Sequence, residues 1–280
     1  MSLISVGIEN SLHINLHYED LGTGKPVVLI HGWLQSGAAW EKQTAALLDA
    51  GYRVITYDRR GFGKSTQPSI GYEYETLAHD LDKVLTKLDL HDVTLIGFSM
   101  GGGEVARYLG KYGSERISKA VFIGAIPPYL QKAADNPEGV DGSVFDGIKA
   151  VLRADRPAFL AGFLQNFYNT DVLGESGSQK ISHEVVAANW NIAVSASPKG
   201  TVDCVTAWGT DFRQDVAKIN IPTLIIHGDA DRIVPVAATA TRMQSAIKGA
   251  QLVLVKDAPH GLVWTHADEV NKALLDFLAG

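Results

Sequence analysis

Six short apolar runs recur along this chain, each closed by a polar residue or a glycine: PVVLIHG (26–32), YRVITYD (52–58), VTLIGF (93–98), KAVFIG (119–124), IPTLIIHG (221–228) and AQLVLVKD (250–257). Runs apolar on both faces suit a parallel sheet, because helices cover such a sheet on each side. Helical spacing fills the intervals at 40–50, 74–88, 103–112, 236–247 and 265–278. Two earlier segments, SLISV and HINLHYED, alternate apolar with polar residues and read as an antiparallel edge. The fold class that follows is α/β, a mostly parallel central sheet with helices on both faces.

The rhythm breaks after Gly124. From PPYLQKAADNPEG to about Lys218 no strand pattern returns. Val144, Phe145, Ile148, Val151 and Leu152 keep helical spacing, as do Phe159, Leu160, Phe163, Leu164 and Phe167 beyond the Arg156-Pro157 break. HEVVAANWNIAVSAS also reads as helix. A helical block between two strands of one sheet predicts a cap inserted at 128–217, with the core split into 1–127 and 218–280. With 280 residues, 46% of them hydrophobic, the chain can bury a core of that size.

Bulk chemistry narrows the function classes. A net charge of −6 disfavours a nucleic-acid partner, which calls for a basic face. The one cysteine, Cys204, has no partner for an internal disulfide and reads as a small buried hydrophobe in VDCVTAW. The opening MSLISVGIENSLHINL lacks a basic start and a long apolar stretch, and no run approaches the ~18 residues of a membrane span. The expectation is a cytoplasmic protein that binds neither membrane nor nucleic acid; a homo-oligomer is left open.

The chemistry-bearing stretch is VTLIGFSMGGGEVARYLGKYG, which sets Ser99 among Gly97, Gly101, Gly102 and Gly103. The bare G-x-S-x-G pattern is weakly specific, but here a buried-type strand leads in and a helix leads out, as a nucleophile elbow requires. Gly97 and Gly101 remove side chains that would collide across the turn, and Gly102 and Gly103 let the helix lie close to the sheet. The helix start brings free N–H groups to the serine oxygen.

A serine hydroxyl needs a base and an acid that orients the base. Both stand in the order an elbow protein uses: Asp229 and Asp231 just past the strand IPTLIIHG, then His260 just past LVLVKD. Spacing alone does not choose between the two acids. One oxyanion donor is the Met100 N–H directly after the serine; the other is expected from the Trp33 N–H, in the loop after PVVLIHG. His31 reads as a residue that shapes this loop. GFGKS (61–65) imitates a phosphate loop, but Asp58 stands where that motif needs glycine, so a tight turn is expected. His227, Asp229, Asp231, His260 and His266 could be set out as metal donors, but His227 still lies in the apolar strand run, and no metal is expected.

HGWLQSGAAW, YDRRGFGKS, GFSMGGGEVARY, HGDADRIVP and DAPHGLVWTH together resemble the α/β-hydrolase superfamily. More narrowly they resemble its bacterial arylesterase, cofactor-free haloperoxidase (perhydrolase) and γ-lactamase group. The resemblance covers nearly the whole chain and is loosest in the cap. It implies an α/β-hydrolase fold and a serine hydrolase that cleaves small carboxylic (aryl) esters through an acyl-enzyme. In that group H-G-x-x-D carries the triad acid in its last position, which assigns Asp231; Ser99, His260 and the Trp33 and Met100 amides carry over directly. The resemblance also implies a variant with hydrogen peroxide in place of water, whose peracid product oxidises halide without any cofactor. Perhydrolase relatives often carry proline two residues after the H-G pair; Leu34 stands there, which points to ordinary ester hydrolysis. Leu34, Phe159, Phe163, Trp190 and Trp208, with Trp33, are expected as walls of a pocket for an ester, peroxide or lactam substrate. Lactam hydrolysis and a ligand receptor with vestigial hydrolysis stand as the alternatives.

Overall fold

In a computed structural model of the chain, which describes residues 2–173 and 181–280, eight strands form one sheet. They are β1 (Leu3–Glu9), β2 (Leu12–Leu21), β3 (Pro26–Ile30), β4 (Arg53–Tyr57), β5 (Val93–Phe98), β6 (Ile117–Ile123), β7 (Thr223–Gly228) and β8 (Gln251–Val255), in the spatial order β1-β2-β4-β3-β5-β6-β7-β8. The six apolar runs are β3 to β8, all parallel. The alternating segments make the antiparallel β1–β2 edge, turned at Asn10 and Ser11, whose φ values of 48° and 66° are those of a two-residue hairpin turn. β3 has β4 on one side and β5 on the other. The chain reverses its winding there, so a crevice opens beyond the carboxyl ends of these strands.

Eleven helices accompany the sheet among the described residues: α1 (Glu41–Asp49), α2 (Tyr74–Lys87), α3 (Met100–Tyr112), α4 (Gly142–Tyr168), α5 (Thr170–Leu173), α6 (His183–Ser195), α7 (Pro198–Ala207), α8 (Arg213–Val216), α9 (Ala240–Ala246), α10 (Leu262–Thr265) and α11 (Ala267–Ala279). Alternate residues of β3 serve two cores. Val28 and Ile30 pack with Leu77 and Leu81 of α2 and Val105 of α3, whereas Val27 and Leu29 pack with Leu47 of α1 and Leu274 of α11. Burial on both faces is why these strands are apolar throughout.

Several helix limits differ from the sequence expectation. α3 begins at Met100 rather than at 103, because packing holds three glycines in helical geometry against their propensity. α9 is shorter than the expected 236–247, since 236–239 form turns after Pro235. The expected helix at 265–278 is α11, which starts at Ala267; the short α10 precedes it unanticipated, the two jointed at His266 (φ −128°, ψ 43°). α4 is kinked at Asp155, slightly before the anticipated break at Pro157; the Asp155 carboxylate accepts a hydrogen bond from Ala158 N at 3.1 Å and so caps the second half. Helices α4 to α8 all fall between β6 and β7. Among the described residues no helix is long and apolar enough to cross a membrane.

Candidate active site

Ser99 sits between β5 and α3 with φ 54° and ψ −118°, a left-handed backbone that is strained for serine. The neighbouring glycines permit it. A Cβ on Gly97 would lie 2.6 Å from the Gly101 carbonyl oxygen, and one on Gly101 would strike the Ile30 carbonyl of β3. Gly102 packs on Ala125, beyond β6, as the sheet-contact reading expects. Gly103 instead makes room for the Tyr74 ring of α2, so its contact is between helices.

His260, in the loop after β8, places Nε2 2.9 Å from Ser99 Oγ and Nδ1 2.6 Å from Asp231 Oδ2. With Nδ1–H donating to the carboxylate, Nε2 is left to accept the serine proton. The imidazole lies between aromatic rings, 5.1 Å from Phe98 and 5.1 Å, edge to face, from Phe167. The structure also separates the two acids. Asp229 is exposed and accepts from Asp257 N at 2.6 Å, away from the imidazole.

Asp231 is tightly held. Its Oδ1 accepts from Ile233 N and Val234 N at 2.8 Å each, and its Oδ2 has His227 Nε2 at 3.1 Å besides His260. Burial pushes this carboxyl up. The facing His260 charge and the hydrogen bonds from His227 and His260 together outweigh that and hold it well below the usual carboxylate range. His227, weighed in the sequence only as a metal donor, was not anticipated beside Asp231, because it reads as one more position of a buried strand. Its spacing of four from Asp231 was the available signal.

The loop after β3 passes directly against the elbow, since Gly101 abuts both the Ile30 and His31 carbonyls. Met100 opens α3, so its N–H is among those a helix leaves without an intrahelical partner. Trp33 is anchored by its indole, which donates to Thr201 O of α7 at 3.1 Å. His31 is fully buried, with Nδ1 2.7 Å from Gly32 O and Nε2 accepting from Arg59 N at 2.9 Å, and both ring nitrogens are thus engaged in loop structure. GFGKS wraps the Asp58 carboxylate, which accepts from Lys64 N and Gly37 N at 2.7 Å each. That turn holds its own anion where a phosphate loop would hold a ligand.

A cavity of about 620 Å³ opens above Ser99 and His260. Trp33, Phe159, Phe163 and Trp208 line it, the Trp33 ring meeting Phe163 and Trp208 edge to face at 5.2 and 4.7 Å. Two expected wall residues lie elsewhere. The Trp190 indole of α6 donates to Pro157 O at 3.3 Å and ties α6 to the α4 kink. Leu34, in the loop after β3, is buried in the core with φ +66°. Proline is locked near −65° and cannot take that angle, so this loop follows a path closed to a proline-bearing one.

Residues 25–267 match the family model described as the α/β hydrolase fold. The chain is 58% identical over 279 residues to a Synechocystis protein provisionally named a non-heme chloroperoxidase, covering 99% of this chain and 100% of that one. It is 34% identical to a bifunctional esterase/perhydrolase of Acinetobacter calcoaceticus, over 95% of this chain and 96% of the relative. The crystal structure of a bromoperoxidase from Bacillus anthracis superposes with a TM-score of 0.95 at 52% identity, covering 100% of this chain and 99% of the other.

Proposed function

This chain belongs to the α/β-hydrolase family, and on that footing we propose that it hydrolyses small carboxylic esters with apolar acyl or aryl groups, Ser99 being the nucleophile. It is an enzyme of the non-heme haloperoxidase and esterase type. The observation that carries the proposal is the unbroken line of hydrogen bonds from Ser99 Oγ through His260 to Asp231, at 2.9 and 2.6 Å, on the floor of an apolar cavity.

Ser99 Oγ attacks the ester carbonyl while His260 Nε2 takes its proton. Asp231 holds the imidazole in the required tautomer and stabilises the imidazolium. The Trp33 and Met100 N–H groups bind the oxyanion of the tetrahedral intermediate. That intermediate collapses as His260 returns the proton to the leaving alcohol or phenol. Water, deprotonated by His260, then attacks the acyl-enzyme and releases the acid and free Ser99.

Hydrogen peroxide entering at the last step would release a peracid in place of the acid, and the peracid would oxidise halide in solution. The Acinetobacter relative, named for both esterase and perhydrolase activity, supports this second outcome of the same acyl-enzyme. The test is labelling with a fluorophosphonate alongside turnover of nitrophenyl acetate. A single adduct on Ser99 that abolishes turnover is expected. A folded protein that resists labelling, or whose turnover survives it, overturns the reading.

A further inference from the structure

Between the loop after β3 and helix α3, the two segments that carry the proposed oxyanion donors, lies a buried ion pair that the hydrolytic steps do not use. Arg59, just past β4, and Glu104, on α3, have side chains only 1% and 0% exposed. Arg59 Nε donates to Glu104 Oε2 at 2.9 Å, and Arg59 Nη2 donates to the His31 carbonyl at 2.8 Å. The Tyr57 hydroxyl donates to the other Glu104 oxygen. Removing two ions from water costs more than such a pair usually returns, and well-packed apolar residues often serve stability as well.

The pair's two ends grip the two segments that carry the donors. His31, held by Arg59, is two residues before Trp33; Glu104 is four residues after Met100, about one helical turn along α3. We propose that Arg59 and Glu104, steadied by Tyr57, are positioning residues: a strut that fixes the Trp33 and Met100 N–H groups relative to each other for the tetrahedral transition state. This rests on the hydrolytic reading above. The two donors belong to separate elements, and hydrogen bonds to an oxyanion weaken steeply as distance and angle drift. An apolar pair could fill the same volume but could not hold the His31 carbonyl. Because the donors act on charge that develops after substrate binds, loosening them should lower kcat and leave KM nearly unchanged.

The test compares wild type, Ser99→Ala, the apolar triple variant Tyr57→Phe/Arg59→Met/Glu104→Leu, and the milder Glu104→Gln. Each is measured for its thermal midpoint, for kcat and KM on nitrophenyl acetate, and for inhibition by a trifluoromethyl ketone that forms an oxyanionic adduct with serine. The strut predicts a folded triple variant with kcat lowered ~10²-fold and ketone affinity lowered in parallel. KM should stay within ~3-fold, and Glu104→Gln should move the same quantities in the same direction by less. A folded triple variant with wild-type kcat and ketone affinity overturns the strut. Should the triple variant fail to fold, a wild-type kcat and ketone affinity in Glu104→Gln overturns it equally. If turnover survives in Ser99→Ala, it is the hydrolytic reading that falls.

Discussion

Asp231 is the residue on which the geometry concentrates most strongly. Two backbone amides and two imidazoles surround one carboxylate, so its ionised form is favoured in the folded state. A carboxylate with a depressed folded pKa adds stability above its unfolded value of ~3.9, and loses it as pH falls through that value toward the lower folded one. Asp231→Asn should therefore lose ~10⁴-fold in kcat. It should also flatten the fall in unfolding free energy below pH ~4, measured by urea unfolding across pH against wild type. Sequence order marked Ser99, the pair Asp229 and Asp231, and His260, because each lies within a few residues of the end of an apolar strand run. It could not separate Asp231 from Asp229; the side-chain directions did, turning Asp229 to Asp257 N. His227 was hidden for a related reason: it reads as one more residue of a buried strand, and only its spacing of four from Asp231 hints at what it faces.

Among the elements, the β5–α3 junction is the most constrained. Gly97→Ala would push a methyl to 2.6 Å from the Gly101 carbonyl, a backbone atom that cannot swing aside. The expected loss is ~1–3 kcal/mol of stability, with kcat reduced because Ser99 moves with the turn. Gly147→Ala is the contrasting variant. It lies on exposed α4 with nothing within 4 Å of the added Cβ, so it should gain up to ~1 kcal/mol and keep wild-type kcat. Chemical denaturation and nitrophenyl acetate kinetics on both variants check the pair. Strands were legible because burial on both faces writes itself as an unbroken apolar run. Helix ends were less so, as packing on Ala125 and Tyr74 overrode the glycines at the start of α3. The pocket walls were least legible: aromatic residues at helical spacing do not say whether they face a cavity, as Phe163 does, or a helix kink, as Trp190 does.

For the whole molecule, the loops at the strand ends supply the serine, the imidazole, the carboxylate and Trp33, and the block between β6 and β7 supplies the other aromatic walls above them. Burial, reinforced by the Arg59 charge and only partly opposed by the bond to the Gly32 carbonyl, holds the His31 pKa well below its ordinary value. The unfolded chain then binds a proton at His31 that the folded chain refuses, so this group's contribution is complete above pH ~6.5 and declines below it, by at most ~1.4 kcal/mol per pH unit. Unfolding free energies between pH 7.5 and 5.5 should show that decline in wild type and a shallower one in His31→Gln (pH values being about one unit either side of the ~6.5 reference).

The central claim is that one acyl-enzyme on Ser99 underlies both hydrolysis and any peroxide-dependent chemistry. Its most direct measurement is a paired assay of ester hydrolysis and peroxide-dependent bromination, in buffer containing a short-chain carboxylate, on wild type and Ser99→Ala. Loss of both activities together in a folded Ser99→Ala protein is the predicted result. Hydrolysis or bromination persisting at the wild-type rate after that substitution would contradict the claim.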